Sequence, residues 1–382
     1  MPKVLIIFGT RPEAIKMASV IKAIEKTSEM DRVVCVTSQH REMLDQVLGL
    51  FEIVPDYDLG IMKENQTLFD ITVEGLRKIE DILEKEIPDI ILVQGDTTTT
   101  FLASLAAYYL KVKIGHIEAG LRTRDKFNPF PEEMNRRLTD CLADLYFAPT
   151  KKAKTNLMRE GVEEDKIFVT GNTVIDALLM TIEKQKDPKL QRVFEQQFQN
   201  NYDISFDNKK LILVTGHRRE SFGKELENIC SGLKKIAESN HDVQIIYPVH
   251  LNPNVQEPVR KVLAHVKNVR LVDPLDYLSF VWLMNRAYLI LTDSGGIQEE
   301  APSLGKPVLV MRERTERMEG IEAGTAKLVG TDCERIFSET MKLIEDQSLY
   351  DAMAKTVNPY GDGKASERIL EVLMGYLYKG YR

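Results

Sequence analysis

Short apolar runs alternate with segments of helical period in two separate parts of the chain, and this alternation restricts the fold more than any other feature. The first series opens with an apolar run at residues 4–8 and a helical pattern at 12–24, and a second series starts at Leu211. Strands joined by helical crossovers run parallel, and a parallel sheet needs helices on both faces. The sequence therefore predicts an α/β protein with two doubly wound, Rossmann-like domains that face a cleft.

The predicted elements divide the 382 residues into two domains. Strands are predicted at 4–8, 33–37, 89–93, 112–117, 145–148, 211–215, 243–247, 269–272, 288–292 and 308–311. Helices are predicted at 12–24, 41–50, 66–86, 98–110, 225–239, 297–304 and 366–378. The polar segment 171–208 is interpreted as an interdomain region, and the Pro- and Gly-rich segment before the last helix as a crossing back to the first domain. The predicted domains are thus 1–170 with 364–382, and 209–363.

Composition excludes several classes of protein. An apolar content of 43% and a charged content of 29% are typical of soluble globular proteins. A net charge of −7 without a basic tract argues against a nucleic-acid partner. No apolar run approaches membrane-spanning length, and the strand pattern begins too early for a signal peptide. The four cysteines are far apart, so we expect reduced thiols and a cytoplasmic protein.

The turn formed by Asp293, Ser294, Gly295 and Gly296 has the composition of an anion site. It follows a predicted strand and precedes a predicted helix. Two glycines let a ligand approach the backbone, while unpaired amides and the helix dipole attract a phosphate. Glu300, one turn into the helix, could accept hydrogen bonds from ribose hydroxyls. The alternative is an ordinary capped helix start with an acidic first turn.

The segment 9–16 (GTRPEAIK) directly follows the first predicted strand. Arg11 and Lys16, about one helical turn apart, can both reach a ligand held at the helix start. The segment contains neither the dinucleotide fingerprint nor the P-loop pattern, so the NAD and P-loop interpretations lose support. The alternative, two surface cations, is disfavoured because cations are unfavourable at a helix amino terminus without an anion.

Three acidic residues lie beyond strand ends of the first domain. Asp96 follows the strand 89–93, Glu118 follows the strand 112–117, and Glu132 lies in the next loop. Neighbouring carboxylates raise one another's proton affinity, which suits general acid–base catalysis. Taken singly, Asp96 could be only a helix cap and Glu118 only a solvated loop residue. Together, and with a phosphate site elsewhere in the chain, they favour catalysis.

His217 and Arg317 add candidate cations to the second domain. His217 comes two residues after the strand 211–215, and Arg317 follows the strand 308–311. Both would contribute positive charge to a diphosphate site, although a lone histidine is more often structural. The chain has no H-E-x-x-H pattern or Cys/His cluster, so the sequence predicts no metal and no cofactor.

These residues fall within motifs that resemble the non-hydrolysing UDP-N-acetylglucosamine 2-epimerases, and the resemblance covers essentially the whole chain. One departure is Met318, where that family usually has proline. The motifs are 9–13 (GTRPE), 39–41 (QHR), 95–99 (GDTTT), 118–122 (EAGLR), 171–173 (GNT), 216–220 (GHRRE) and 293–300 (DSGGIQEE).

The resemblance implies a GT-B-like fold, a homodimer and the interconversion of UDP-N-acetylglucosamine and UDP-N-acetylmannosamine, which supplies N-acetylmannosamine units for surface polysaccharides. In the family, anti-elimination of UDP gives a 2-acetamidoglucal, to which UDP is added again. The implied catalytic residues are Asp96, Glu118, Glu132 and His217. The implied substrate contacts are Arg11, Lys16, Asp96, Glu118, His217, Leu275, Phe280, Ser294, Gly295, Gly296, Glu300 and Arg317. A second, regulatory substrate position is implied at Gln39, Gln66 and His250.

Three other functions remain open at this point. A UDP-sugar-dependent glycosyltransferase of the same two-domain fold would use the phosphate site, but it needs no proton transfer at C2. A non-catalytic sugar-nucleotide sensor would have lost the carboxylates, which are all present. A hydrolysing relative would release free N-acetylmannosamine, which product determination distinguishes.

Overall fold

The computed structural model describes residues 1–38, 41–62, 66–206 and 209–379. The chain forms two compact units, Met1–Ala177 with Tyr360–Arg382, and Leu178–Pro359. These limits differ from the predicted boundaries at both points where the chain passes from one unit to the other. At the first, the division falls after Ala177, within a helix that lies inside the predicted interdomain segment 171–208. At the second, the backbone N–H of Asn172 donates to the carbonyl of buried Tyr360 at 2.7 Å, which ties the segment 360–363 to the first unit.

The first unit contains a parallel sheet in the order β3-β2-β1-β4-β5-β6-β7. Its strands are β1 Lys3–Phe8, β2 Asp31–Val36, β3 Tyr57–Asp58, β4 Ile90–Gln94, β5 Lys113–Ile117, β6 Leu145–Ala148 and β7 Ile167–Val169. Its helices are α1 Arg11–Glu25, α2 Arg41–Leu50, α3 Leu68–Glu86, α4 Thr98–Tyr109, α5 Glu132–Leu142, α6 Lys151–Arg159, the first part of α7 Thr173–Lys184, and α16 Ala365–Lys379. The order of strands places β1, β4 and β5 side by side.

The second unit contains a parallel sheet in the order β10-β9-β8-β11-β12-β13. Its strands are β8 Lys210–Thr215, β9 Val243–Pro248, β10 Val269–Val272, β11 Leu289–Thr292, β12 Val308–Val310 and β13 Ala326–Leu328. Its other helices are α8 Pro188–Tyr202, α9 Lys224–Ser239, α10 Pro253–Leu263, α11 Tyr277–Arg286, α12 Gly295–Glu300, α13 Met318–Ala323, α14 Cys333–Glu345 and α15 Gln347–Ala354. Short 3-10 helices complete the elements at Glu164–Lys166, Arg219–Ser221 and Ala301–Leu304.

Local sequence signals explain where the site-bearing helices begin and end. Thr10 caps α1 in a capping box with Glu13, in which each side chain accepts from the other residue's backbone N–H. Thr97 caps α4 by accepting from the N–H of Thr100. The 3-10 turn after α12 ends at Gly305, whose φ of +64° is a left-handed conformation that favours glycine.

The predicted fold class is confirmed: both units are doubly wound parallel sheets, and every predicted strand is present within one or two residues. The strands β3, β7 and β13 were not predicted, because two or three residues show no periodicity. The helix predicted at 297–304 begins two residues earlier and becomes a 3-10 turn at Ala301. Within the described ranges, no helix combines the length and apolar character needed to cross a membrane.

Candidate active site

Glu118 lies immediately after β5 and is the most enclosed of the three predicted carboxylates. Its φ of +68° is unusual for a residue other than glycine and directs the chain sharply away from the strand. Oε2 accepts from Nε2 of Gln94 at 2.7 Å and contacts Nδ2 of Asn172 at 3.5 Å. The same oxygen forms an ion pair with the ammonium of Lys16 on α1. A neighbouring cation favours the ionised form of a carboxylate, which is the form that accepts a proton.

Asp96 lies in the turn between β4 and α4, and its side chain is about one-third exposed. Oδ2 is 2.6 Å from a guanidinium nitrogen of Arg136, and the backbone carbonyl accepts from Nδ2 of Asn135 at 3.0 Å. Both partners lie on α5, which begins at Glu132. One oxygen of the Glu132 carboxylate is buried without a hydrogen-bond partner among the described residues. Helix α5 therefore connects two of the predicted carboxylates.

The side chain of Glu13 joins the loop between β1 and α1 to the loop between β4 and α4. One carboxylate oxygen accepts from the backbone N–H groups of Gly9 and Thr10 at 3.0 and 2.7 Å, and the other accepts from the hydroxyls of Thr97 and Thr100 at 2.6 and 3.0 Å. Burial raises the pKa of Glu13 despite these hydrogen bonds. The loops after β1 and β4 are thus fixed to each other by one buried side chain.

Arg11 and Lys16 occupy different positions, although both lie on α1. Arg11 is the first residue of the helix and is half-buried, with no ion pair in the described part of the chain. Lys16 contacts Glu118, and so it lies among the predicted catalytic residues. The prediction assigned both cations to a phosphate, and that assignment stays a prediction for each of them.

Asp293 organises the corresponding strand ends of the second unit, where β8 and β11 are neighbours. Oδ2 accepts from the backbone N–H groups of His217 and Arg218 at 2.7 and 2.8 Å. The ring of His217 stacks on His250 with centroids 5.3 Å apart. Burial and the adjacent His217 lower the pKa of His250. The predicted catalytic histidine and one predicted regulatory residue therefore lie in contact.

The turn that begins α12 leaves its amides open. Ser294 occupies the N-cap position, but its side chain makes no capping hydrogen bond. Gly295 and Gly296 have no backbone acceptor among the described residues. One turn later, Oε2 of Glu300 accepts from the hydroxyl of buried Tyr277 at 2.8 Å. That hydrogen bond holds Glu300 in place. Its other carboxylate oxygen, Oε1, lies beside Gly296, since a Cβ added to that glycine would be 3.7 Å from it.

Arg317 belongs to a cluster of ion pairs at the end of β12. Its guanidinium pairs with Glu299, and with Glu316 at 3.7 Å. Arg312 and Arg218 also contact Glu316, at 2.8 and 3.3 Å. Burial opposes ionisation of Glu316, but Arg317 and Arg312 outweigh it and lower the pKa to about 2. The predicted phosphate contact Arg317 is thus held in place by two carboxylates.

The remaining predicted residues lie in both units. Leu275 and Phe280 are half-buried, the first just before α11 and the second within it. Gln66 lies in the first unit and donates to the carbonyl of Ile61 at 2.8 Å. Gln39 lies outside the described residues, so the regulatory set stays a prediction.

Sequence reasoning missed the residues that hold the carboxylates. Asn135 and Arg136 come three and four positions after Glu132, a spacing that places all three on one face of a helix. This signal was present, but α5 was not predicted. Gln94 and Tyr277 carried no signal, because their contacts join residues far apart in the chain.

No group of three or more metal-ligating side chains occurs in the part of the chain that the structure describes.

Two Rossmann-like α/β units with charged groups and open amides at their strand ends define the class of two-domain GT-B-like enzymes. Sequence comparison identifies the member of that class. A profile of the UDP-N-acetylglucosamine 2-epimerase family matches residues 22–374, and the chain belongs to this family. The resemblance of the motifs is thereby confirmed.

Individual relatives agree along the full length. The UDP-N-acetylglucosamine 2-epimerase of Escherichia coli (strain K12) is 58% identical over 372 residues, or 97% of this chain and 98% of the relative. The crystal structure of UDP-GlcNAc 2-epimerase from Neisseria meningitidis bound to UDP-GlcNAc matches with a TM-score of 0.90 at 53% identity, covering 97% of this chain and 99% of that one. The enzyme from Methanocaldococcus jannaschii in complex with UDP-GlcNAc and UDP matches with a TM-score of 0.80 at 37% identity, with coverage of 97% and 99%.

Proposed function

We propose that this epimerase interconverts UDP-N-acetylglucosamine and UDP-N-acetylmannosamine without net hydrolysis. The family and the ligands named for its solved relatives support the substrate. One observation carries the proposed mechanism: α5 begins with Glu132 and holds Asp96, while Glu118 lies buried at the end of the adjoining strand with a cation beside it.

The reaction needs proton transfer at both faces of one carbon. In the first step a carboxylate removes the C2 proton, the C1–oxygen bond breaks, and UDP leaves with the bonding electrons to give a 2-acetamidoglucal. In the second step UDP attacks C1 while an acid delivers a proton to the opposite face of C2. Asp96, Glu118 and Glu132 provide the groups for both transfers, without an assignment of each to a face. The C2 proton is barely acidic until C1 develops positive charge, so loss of UDP must accompany its removal.

Stabilisation of the departing diphosphate is the second requirement. Arg11 at the start of α1 and Arg317 after β12 are cations, and we assign them to the diphosphate together with His217 and the amides of Gly295 and Gly296. Lys16, which is paired with Glu118, is a further cation that we assign to the diphosphate. Removing one such donor commonly costs about 3 kcal/mol of transition-state stabilisation, or roughly a hundredfold in rate. We assign Phe280 and the backbone near Leu275 to uracil.

We also propose three properties that the family implies. They are a homodimer in the cytoplasm, the supply of N-acetylmannosamine units for surface polysaccharides, and regulation by the substrate. Gln66 and His250, with Gln39, are the proposed regulatory residues. Trace UDP-N-acetylglucosamine should then accelerate the reverse reaction. Hyperbolic reverse kinetics that are unchanged by such traces would remove the regulatory proposal.

The central experiment is proton NMR of the enzyme with UDP-N-acetylglucosamine in deuterated water. Formation of UDP-N-acetylmannosamine with deuterium at C2 supports the proposal, whereas free N-acetylmannosamine indicates a hydrolysing enzyme. Unchanged and unlabelled substrate, with UDP still bound, favours a transferase or a sensor. Asp96→Asn, Glu118→Gln and Glu132→Gln should each lower exchange by at least a hundredfold. Glu164→Gln, at an exposed carboxylate paired with Lys154, is the control and should retain full exchange.

A further inference from the structure

His116 lies on β5 and is completely buried, yet both of its ring nitrogens make short polar contacts. Nδ1 is 2.6 Å from Oδ1 of Asp140, and Nε2 is 2.8 Å from the carbonyl oxygen of Gly95. A carbonyl oxygen only accepts hydrogen bonds, so Nε2 donates to Gly95. Burial raises the pKa of Asp140, but His116 and Arg122 outweigh it and hold the pKa below its usual value. The Asp140 carboxylate thus faces Nδ1, and the His116 ring is held by a polar contact at each of its nitrogens.

The two ends of this contact chain reach two of the proposed catalytic loops. Gly95 immediately precedes Asp96, so the donor on Nε2 holds the backbone from which that carboxylate projects. The second oxygen of Asp140 accepts from the backbone N–H of Gly120 at 3.2 Å, two residues beyond Glu118. The same oxygen is 2.6 Å from the guanidinium of Arg122. One buried pair of side chains thus restrains the loops after β4 and β5 together.

Helix α5 connects the third carboxylate to the same pair. Glu132, Asn135, Arg136 and Asp140 are separated by three, one and four residues, which places them along one face of the helix. Two of them bind Asp96, and Asp140 binds His116. A rotation or shift of α5 would therefore move the site of Glu132 and release Asp96 at the same time.

We propose that His116 and Asp140 are positioning residues, which hold the loops of Asp96 and Glu118 and the start of α5 at the separation that proton transfer at two faces of C2 requires. Neither side chain takes a proton from the sugar. This role rests on the proposed function, because it concerns the geometry of that reaction. Misplacement of reacting groups by about 1 Å can cost a hundredfold in rate.

Three variants test this role. His116→Phe keeps an aromatic ring but removes both ring nitrogens, His116→Gln keeps an amide donor, and Asp140→Asn places an amide opposite the donors of Gly120 and Arg122. Asp176→Asn is the matched control, since this buried carboxylate of the first unit accepts only from the N–H groups that begin α16, Ala365 and Ser366, in its described hydrogen bonds.

The readouts are kcat and KM for deuterium incorporation at C2, UDP affinity by calorimetry, and the circular dichroism of each variant. We expect kcat to fall about a hundredfold in His116→Phe and Asp140→Asn, while KM and UDP affinity stay within about threefold. His116→Gln should recover about tenfold of that loss, and Asp176→Asn should keep the wild-type kcat. A folded His116→Phe or Asp140→Asn protein with kcat within threefold of wild type overturns the role, as does an equal loss of kcat in Asp176→Asn.

Two further outcomes are informative. If His116→Phe and Asp140→Asn fail to fold, His116→Gln decides by the same criteria, and wild-type kcat in that variant overturns the role. If the wild-type enzyme itself shows no exchange at C2, the proposed function fails and this role fails with it. Wild-type exchange with unchanged variants removes only the positioning role.

Discussion

Replacement of Gly120 by alanine should disturb the fold and the reaction together, because Gly120 lies two residues after Glu118. Its φ is +87°, and an added Cβ would lie 2.4 Å from the carbonyl oxygen and 2.9 Å from the carbonyl carbon of Ala153 on α6. Both atoms belong to the backbone, so no side-chain rotation can relieve the overlap. The loop or the helix must move by about 1 Å to restore an ordinary contact.

Two free-energy costs give the expected loss of stability in Gly120→Ala. A left-handed conformation costs a non-glycine residue about 1–2 kcal/mol, and overpacking in a close-packed site costs about 1–3 kcal/mol. Gly161 is a matched control, because its φ is +92° and an added Cβ would meet nothing within 4 Å. Gly161→Ala should therefore show the conformational term alone, and Gly120→Ala should exceed it by about 1–3 kcal/mol.

Differential scanning calorimetry of both variants measures this difference. We expect Gly120→Ala to melt roughly 2–12 °C below Gly161→Ala, from the usual 2–4 °C per kcal/mol for domains of this size. Deuterium exchange at C2 should fall by at least tenfold in Gly120→Ala, since Glu118 moves with the loop, and stay unchanged in Gly161→Ala. Equal melting temperatures and equal activities for the two variants would refute the reasoning.

Three further predictions concern the second unit. Because Glu316 has a pKa of about 2 against 4.5 in its unperturbed state, its contribution to stability is complete above pH 4.5 and is lost as the pH falls towards 2. Glu316→Gln should therefore flatten the acid limb of urea-unfolding free energy against pH, and an unchanged limb would contradict this. Trp282→Ala, which removes a fully buried ring stacked 5.3 Å from Phe198, should lower the unfolding free energy by about 3–5 kcal/mol, measured by circular dichroism in urea. Arg317→Ala should weaken UDP binding in calorimetry by about tenfold or more, as expected for loss of a charge-assisted hydrogen bond, and an affinity within twofold of wild type would remove Arg317 from the diphosphate site.

The strands of four or more residues, and some helices with their ends, could be read from the sequence because their causes are local. Thr10 and Glu13 form a capping box within four residues, and Gly305 ends a helical segment through its own conformational freedom. The positions of Asp96, Glu118 and His217 just beyond strand ends also follow from local pattern. Helix α5 escaped prediction, since the loop before it contains closely spaced prolines and its charged residues obscure the apolar stripe.

The sequence by itself determined the class of fold, the sequence positions of the charged groups, and the family. Only the tertiary structure decided which of those groups meet. The neighbouring positions of β1, β4 and β5, together with α1 and α5, bring Lys16 to Glu118 and Arg136 to Asp96, across separations of 102 and 40 residues. Such contacts depend on strand order and on burial, which leave no period in the chain, whereas caps and amphipathic stripes depend on residues a few positions apart.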